Sequence, residues 1–138
     1  MRKEVRSQAL NEAVVSAPDI TYIFTDSQSS DTIGSSTARE YEASAKKRGA
    51  PFISIILSCQ LEENVGRLQA VGRGGSCNTK LTDLDIFRTI LETEDIYHFD
   101  GPQELELDVT ETSATAAAEK IQAFVQECLS SERDPKVT

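Results

Sequence analysis

Arg67, Arg73 and Lys80 fall within one short stretch of an acidic chain, around the glycine cluster Gly72-Arg73-Gly74-Gly75. Cations carried on a glycine-rich loop can lie over an anion, and such a local patch suits a small phosphorylated ligand better than a polymer. The whole-chain charge points the same way. A formal net charge of −9 disfavours a general nucleic-acid binder, whose affinity depends on neutralising backbone phosphates. The acids are spread over helix faces rather than gathered in one block, which reads as a solvated surface. From the residues alone, Arg67 and Arg73 are either phosphate ligands or solvated arginines at a helix end. Asp26, in the polar run after ITYIF, is either a metal-site acid or a carboxylate capping its own turn.

The other chemistry-bearing residues favour plainer readings. Three cysteines (Cys59, Cys77, Cys128) at wide spacings, with a single histidine, fit neither a disulfide framework nor a structural zinc site. His98, between Tyr97 and Phe99, has no serine–acid or cysteine–acid context and reads as packed or exposed. Cys59 lies at a strand end with no neighbouring cation to lower its pKa, so it reads as a small buried cysteine.

The elements that must position these residues follow from periodicity. Val5, Ala9, Ala13 and Val14 predict an amphipathic helix over 2–15, ended by Ser16, Pro18 and Asp19. ITYIF at 20–24 predicts an interior strand, apolar on both faces. Ser35 or Ser36 caps a predicted helix to about Arg48, with Ala38, Tyr41 and Ala45 inward, a basic last turn and Gly49 as its stop. FISIIL at 52–57 is the strongest strand signal and reads as fully buried. A weak helix then starts near Leu61, with Glu62 and Glu63 in its first turn, Leu61, Val65 and Leu68 inward, and Gly66 inside it.

Residues 71–80 read as a flexible loop. Thr82-x-x-Asp85 predicts a capping box opening a helix that buries Leu84, Phe87, Ile90 and Leu91. Residues 95–103 are irregular, ELELDV at 104–109 alternates like an edge strand, and a last helix runs from about Ser113 to Leu129. The pattern predicts a three-layer α/β/α domain with a mainly parallel sheet over residues 1–130, and a flexible tail at 131–138. Ligands in such sheets sit at the carboxyl ends of the strands, which here are Thr25-Asp26, Ser58-Cys59 and Thr110. No apolar run approaches the ~20 residues of a membrane span. The N-terminus lacks the apolar core of a secretory signal, which predicts a cytoplasmic protein.

The order of elements, with FTD at a strand end, LSCQLEENVGRLQAVGR, the NTKLTD opening and LDVTETSATAAAEKI, resembles the small P-loop kinases of shikimate-, gluconate- and adenylate-kinase type. The resemblance covers roughly residues 2–128. It implies a P-loop nucleoside-triphosphatase-like fold, ATP and Mg2+ as cofactors, and phosphoryl transfer to a small molecule. It implies that Asp26 lies near the magnesium or the acceptor. Arg67 and Arg73 match the lid arginines that close on nucleotide phosphates, and Thr110 to Ala114, including Ser113, match the loop beside the adenine. Asn78 and Lys80 fall in the lid with no role implied.

One part of that family is missing from this sequence. G-x-x-x-x-G-K-[ST], whose amides and lysine cradle the β- and γ-phosphates while the hydroxyl holds magnesium, does not occur. The chain reads as starting beyond the first strand and its phosphate loop, so ITYIF and FISIIL lose the strand that would lie between them. They must then pair directly, recruit another segment, or leave an apolar edge open to a second chain. Three expectations stand side by side. The chain is a catalytically impaired portion of a kinase with weak nucleotide affinity, a non-catalytic binding or self-assembling module, or an enzyme of another chemistry, for which no nucleophile–base pair is visible.

Overall fold

The computed structural model describes residues 2–17, 19–70 and 81–133. The predicted glycine-rich loop with Arg73, Asn78 and Lys80 lies outside the described residues, as does the end of the predicted tail. The chain divides into two compact units, residues 1–53 with 95–103, and residues 54–94 with 104–138. Among the described residues no helix is long and apolar enough to cross a membrane.

The first unit is built on two helices. Helix α1 (Arg2–Gln8) continues as a π-helical segment, Ala9–Val14. The predicted helix is therefore present, but the wider π turn moves its inward face. Leu10 and Val14 are buried, whereas Val5 is 63% exposed. Helix α2 (Thr32–Arg48) starts earlier than predicted because Asp31, not a serine, is its N-cap, accepting from the Gly34 amide at 2.6 Å. It ends as expected at Gly49, whose φ of 73° is a left-handed conformation suited to glycine. Ala38 is buried along with Gly34, Thr37 and Ser44, while Tyr41 and Ala45 are half-buried.

Polar ties hold the two helical segments together. Arg6 donates to Glu40 at 3.0 Å and to Thr37 at 3.1 Å, and Lys47 donates to Asn11 at 3.0 Å. Residues 95–103 join the unit through an antiparallel bridge, Ser29↔Ile96, and a hydrogen bond from the Tyr97 amide to the Gln28 carbonyl at 2.9 Å. Phe99 packs edge-on against both Phe52, at 4.8 Å between ring centres, and Tyr97, at 5.0 Å.

ITYIF is not a strand. Residues 20–24 form no ladder, and Ile20, Ile23 and Phe24 are exposed, Ile23 at 86%. An apolar strand is stable only when its amides and carbonyls find a neighbouring strand, and among the described residues no strand pairs with this segment.

Among the described residues, the second unit carries a sheet of two strands. Strand β1 (Ser54–Ser58) pairs in parallel with β2 (Glu104–Asp108), Ser54 opposite Glu104 and Ser58 opposite Asp108. FISIIL therefore recruits ELELDV, shifted slightly along the chain. Its predicted full burial does not occur: Ser54 is buried, but Ile55 and Ile56 are only half-buried and Leu57 is exposed, because a single neighbouring strand covers one edge. In β2 the alternation reads as expected, with Leu105 and Leu107 more buried than Glu106 and Asp108. The fold is thus mixed α/β with parallel pairing; a three-layer sheet is not formed by the described residues.

Helix α3 (Leu61–Leu68) buries Leu68, half-buries Val65 and leaves Leu61 exposed. Helix α4 (Leu84–Thr93) is capped by Asp83, whose carboxylate accepts from the Asp85 and Ile86 amides at 3.0 Å, so the cap falls one residue after Thr82. The burial predicted for α4 does not occur. Leu84 and Phe87 are half-buried, and Ile90 and Leu91 are exposed. Helix α5 (Ala114–Arg133) runs past the predicted end, burying Ala117 and Cys128 and half-burying Ile121, Phe124, Val125 and Leu129. It packs on β2.

Candidate functional site

Parallel pairing brings the carboxyl ends of β1 and β2 together, and two helices begin there. Past Ser58, the Val109 amide donates to the Ser58 carbonyl at 2.8 Å. The Gln60 amide, just before α3, donates to the Thr110 hydroxyl at 2.9 Å. That hydroxyl in turn donates to Asp108 at 2.5 Å, and the Thr110 amide donates to the same carboxylate oxygen at 2.8 Å. These two bonds hold the Asp108 pKa below the usual carboxylate range, since they favour its charged form. Ser113 caps α5, its hydroxyl accepting from the Ala116 amide at 3.2 Å.

Arg67 reaches this strand end from the last turn of α3. Its Nη2 donates to the carbonyl oxygens of Val109 and Thr110, both at 2.9 Å, and its Nε donates to Glu63 at 2.8 Å. The Glu63–Arg67 spacing is one helical turn, the separation at which an acid and a base on a helix meet. A guanidinium has five N–H groups in a planar fork. Among the described residues, Nη1 has no protein partner, and the side chain is 38% exposed. Arg67 is therefore a clamp on the strand end. Glu63 and Asp108 stand close to it, and their charge weakens any anion site built there.

Asp26 belongs to the first unit. Its Oδ1 accepts from the Ser27 amide at 2.9 Å, and its Oδ2 accepts from Gln28 Nε2 at 2.6 Å and from the Tyr41 hydroxyl at 2.8 Å. Burial, with the hydrogen bond to Asp26 second, pushes Tyr41 up to about 12, because both penalise the phenolate. Three donors already occupy a carboxylate that offers about four acceptor positions. That fits a loop-holding carboxylate, and fits poorly the water-rich octahedral shell of Mg2+.

Of the residues singled out from sequence, the structure joins Arg67 to Thr110 directly and places Ser113 at the start of the helix that follows. Asp26 lies in the other unit, and Arg73 lies outside the described residues. Sequence reading missed Asp108, Gln60 and Tyr41. The signal for Asp108 was available: Asp-x-Thr after a strand is the spacing at which an aspartate bonds the backbone two residues on. Tyr41 could not be paired with Asp26 from spacing, because the two are joined only by the packing of residues 20–26 on α2. No protein family, curated protein or solved structure matches this chain.

Proposed function

We propose that this chain is a phosphate-binding α/β protein of P-loop-kinase type that does not itself transfer phosphoryl groups. The observation that carries the reading is the position of Arg67. A guanidinium is anchored by two carbonyls at the joined carboxyl ends of a parallel strand pair, and its Nη1 edge is left without a protein partner among the described residues. Parallel α/β sheets bind ligands at that end. The planar fork of arginine matches two phosphate oxygens. Thr110 and Ser113 line the segment that leaves β2, where the family resemblance puts the adenine. Binding is weak, because Glu63 and Asp108 oppose an anion there. Transfer is absent, because phosphoryl transfer is positioning and charge stabilisation, and the sequence has no G-x-x-x-x-G-K-[ST] cradle to supply either.

Calorimetry with ATP and magnesium tests this. The expected result is weak binding that disappears in the double substitution Arg67→Ala and Arg73→Ala, with no phosphate released over time. Tight binding that survives both substitutions, or steady ATP turnover, would sink the reading.

A second reading, a self-assembling module, is favoured by one specific observation. Ile20, Ile23 and Phe24 are 52%, 86% and 50% exposed in a β-branched, aromatic segment that pairs with no strand among the described residues. Light scattering over a concentration series distinguishes it. Self-association that Ile23→Lys abolishes supports assembly through this segment, and a stable monomer at high concentration rules it out.

A further inference from the structure

Tyr22 and Phe24 are two residues apart in the segment before Asp26, and their side chains lie on one side of the chain. Their rings are nearly parallel, 12° apart in plane with centres at 6.2 Å. Helix α2 holds this pair in place from beneath. The Tyr41 ring lies against Phe24 at 5.0 Å, and the Arg48 guanidinium lies over Tyr22 at 5.3 Å from the ring centre and donates to the Ile20 carbonyl. Tyr41 and Arg48 are seven residues apart, so they lie along one face of α2. Despite two ring neighbours, Phe24 is still 50% exposed.

Asp26 borders the same surface. Tyr41 meets Phe24 with its ring and Asp26 with its hydroxyl, so the aromatic surface and the carboxylate are fixed by one side chain. The three donors on Asp26 hold it rigidly and leave one acceptor position on Oδ1.

We infer that Phe24, Tyr41 and Asp26 form a binding surface for a planar nitrogen heterocycle carrying an exocyclic amino group. The ring stacks on Phe24, where offset or tilted aromatic contact is favourable, and the amino group donates to Asp26. A neutral heterocycle of this kind avoids the repulsion that a polyphosphate or nucleic-acid strand meets on a chain of net charge −9. The surface uses residues of the first unit only and does not depend on the Arg67 reading.

Saturation-transfer NMR with adenosine as the probe tests it, with circular dichroism confirming that each variant is folded. The expected result is saturable transfer to the adenine protons and none to ribose 5-phosphate. Phe24→Leu keeps the apolar volume and removes the ring, and is expected to weaken adenosine by about tenfold or more, the scale of one lost stacking partner. Asp26→Asn is expected to weaken adenosine while leaving purine riboside, which lacks the amino group, unchanged. The proposal is overturned if wild-type protein shows no saturable transfer, if Phe24→Leu binds adenosine as wild type does, or if Asp26→Asn leaves adenosine unchanged or weakens adenosine and purine riboside equally.

Discussion

The Arg67 guanidinium donates to the Thr110 carbonyl at 2.9 Å, tying the last turn of α3 to the segment that leaves β2. The two residues are separated by 43 positions in sequence, so the bond closes the second unit across the end of its sheet. Arg67→Ala is expected to lower the unfolding free energy by about 1–2 kcal/mol, toward the low end for charge-assisted hydrogen bonds because the group is partly exposed. Arg67→Lys should restore only part of that, since an ammonium lacks the fork that meets two carbonyls at once. Urea unfolding followed by circular dichroism checks it, and an unchanged midpoint in Arg67→Ala would remove the clamp from the account.

Two glycines make opposite predictions. A Cβ at Gly34 would sit against the Ser29 carbonyl oxygen and 2.7 Å from both its amide nitrogen and its hydroxyl, so the loop before α2 could not stay where it is. Gly34→Ala is expected to destabilise by about 1–3 kcal/mol, the cost of overpacking, despite the better helix propensity of alanine. At Gly66 a Cβ would meet nothing within 4 Å, and the residue is inside α3. Gly66→Ala is expected to stabilise by about 0.5–1 kcal/mol. The pair of denaturation midpoints, moving in opposite directions, is the test.

Tyr41 provides an alkaline marker. Its folded pKa is raised to about 12, above the ordinary value near 10, so the folded state holds the phenolic proton more tightly than the unfolded chain does. The resulting stabilisation is fully present below about pH 10 and is lost as pH rises through the folded value. Ultraviolet titration of tyrosine ionisation should show the late-titrating group disappear in Tyr41→Phe. In Asp26→Asn it should titrate earlier, because the carboxylate that opposes the phenolate is gone while burial remains.

The acid side is governed by Asp31 and Asp108. The Gly34 amide holds the Asp31 pKa down, and Thr110 does the same for Asp108. A depressed folded pKa contributes stability above the unfolded value, about 3.9 for aspartate, and that contribution is lost as pH falls through the folded value. Asp31→Ala is expected to lower stability at neutral pH through loss of the α2 cap. Its stability should also fall less steeply with acid than that of the wild type. Parallel acid unfolding curves for the two proteins would contradict this.

Much of the local structure was legible in the sequence. Gly49 after Lys46-Lys47-Arg48 ended α2 where expected, since a left-handed residue and a basic last turn act within the helix itself. The Leu105, Leu107 alternation located β2, and Glu62 and Glu63 marked the start of α3. Caps were displaced by a few residues at α2 and by one at α4, because serine, threonine and aspartate compete for the same amides and only the loop's path selects one. Arg67 and Thr110 were legible as candidates, but their direct bond was not, because it depends on which strands pair.

Residue order by itself located the helices, the Gly49 stop of α2 and the parallel α/β character, all of which follow from local periodicity and motif chemistry. Tertiary structure alone decided that FISIIL pairs with ELELDV, that ITYIF pairs with nothing among the described residues, and that the apolar face of α4 stays largely uncovered. The reason is physical. Apolar periodicity states which face of an element gains by burial, but only the presence of a neighbour in space determines whether that burial happens. For the same reason Arg67, legible only as a cation near a glycine-rich loop, became the clamp of a strand end once β1 and β2 lay side by side.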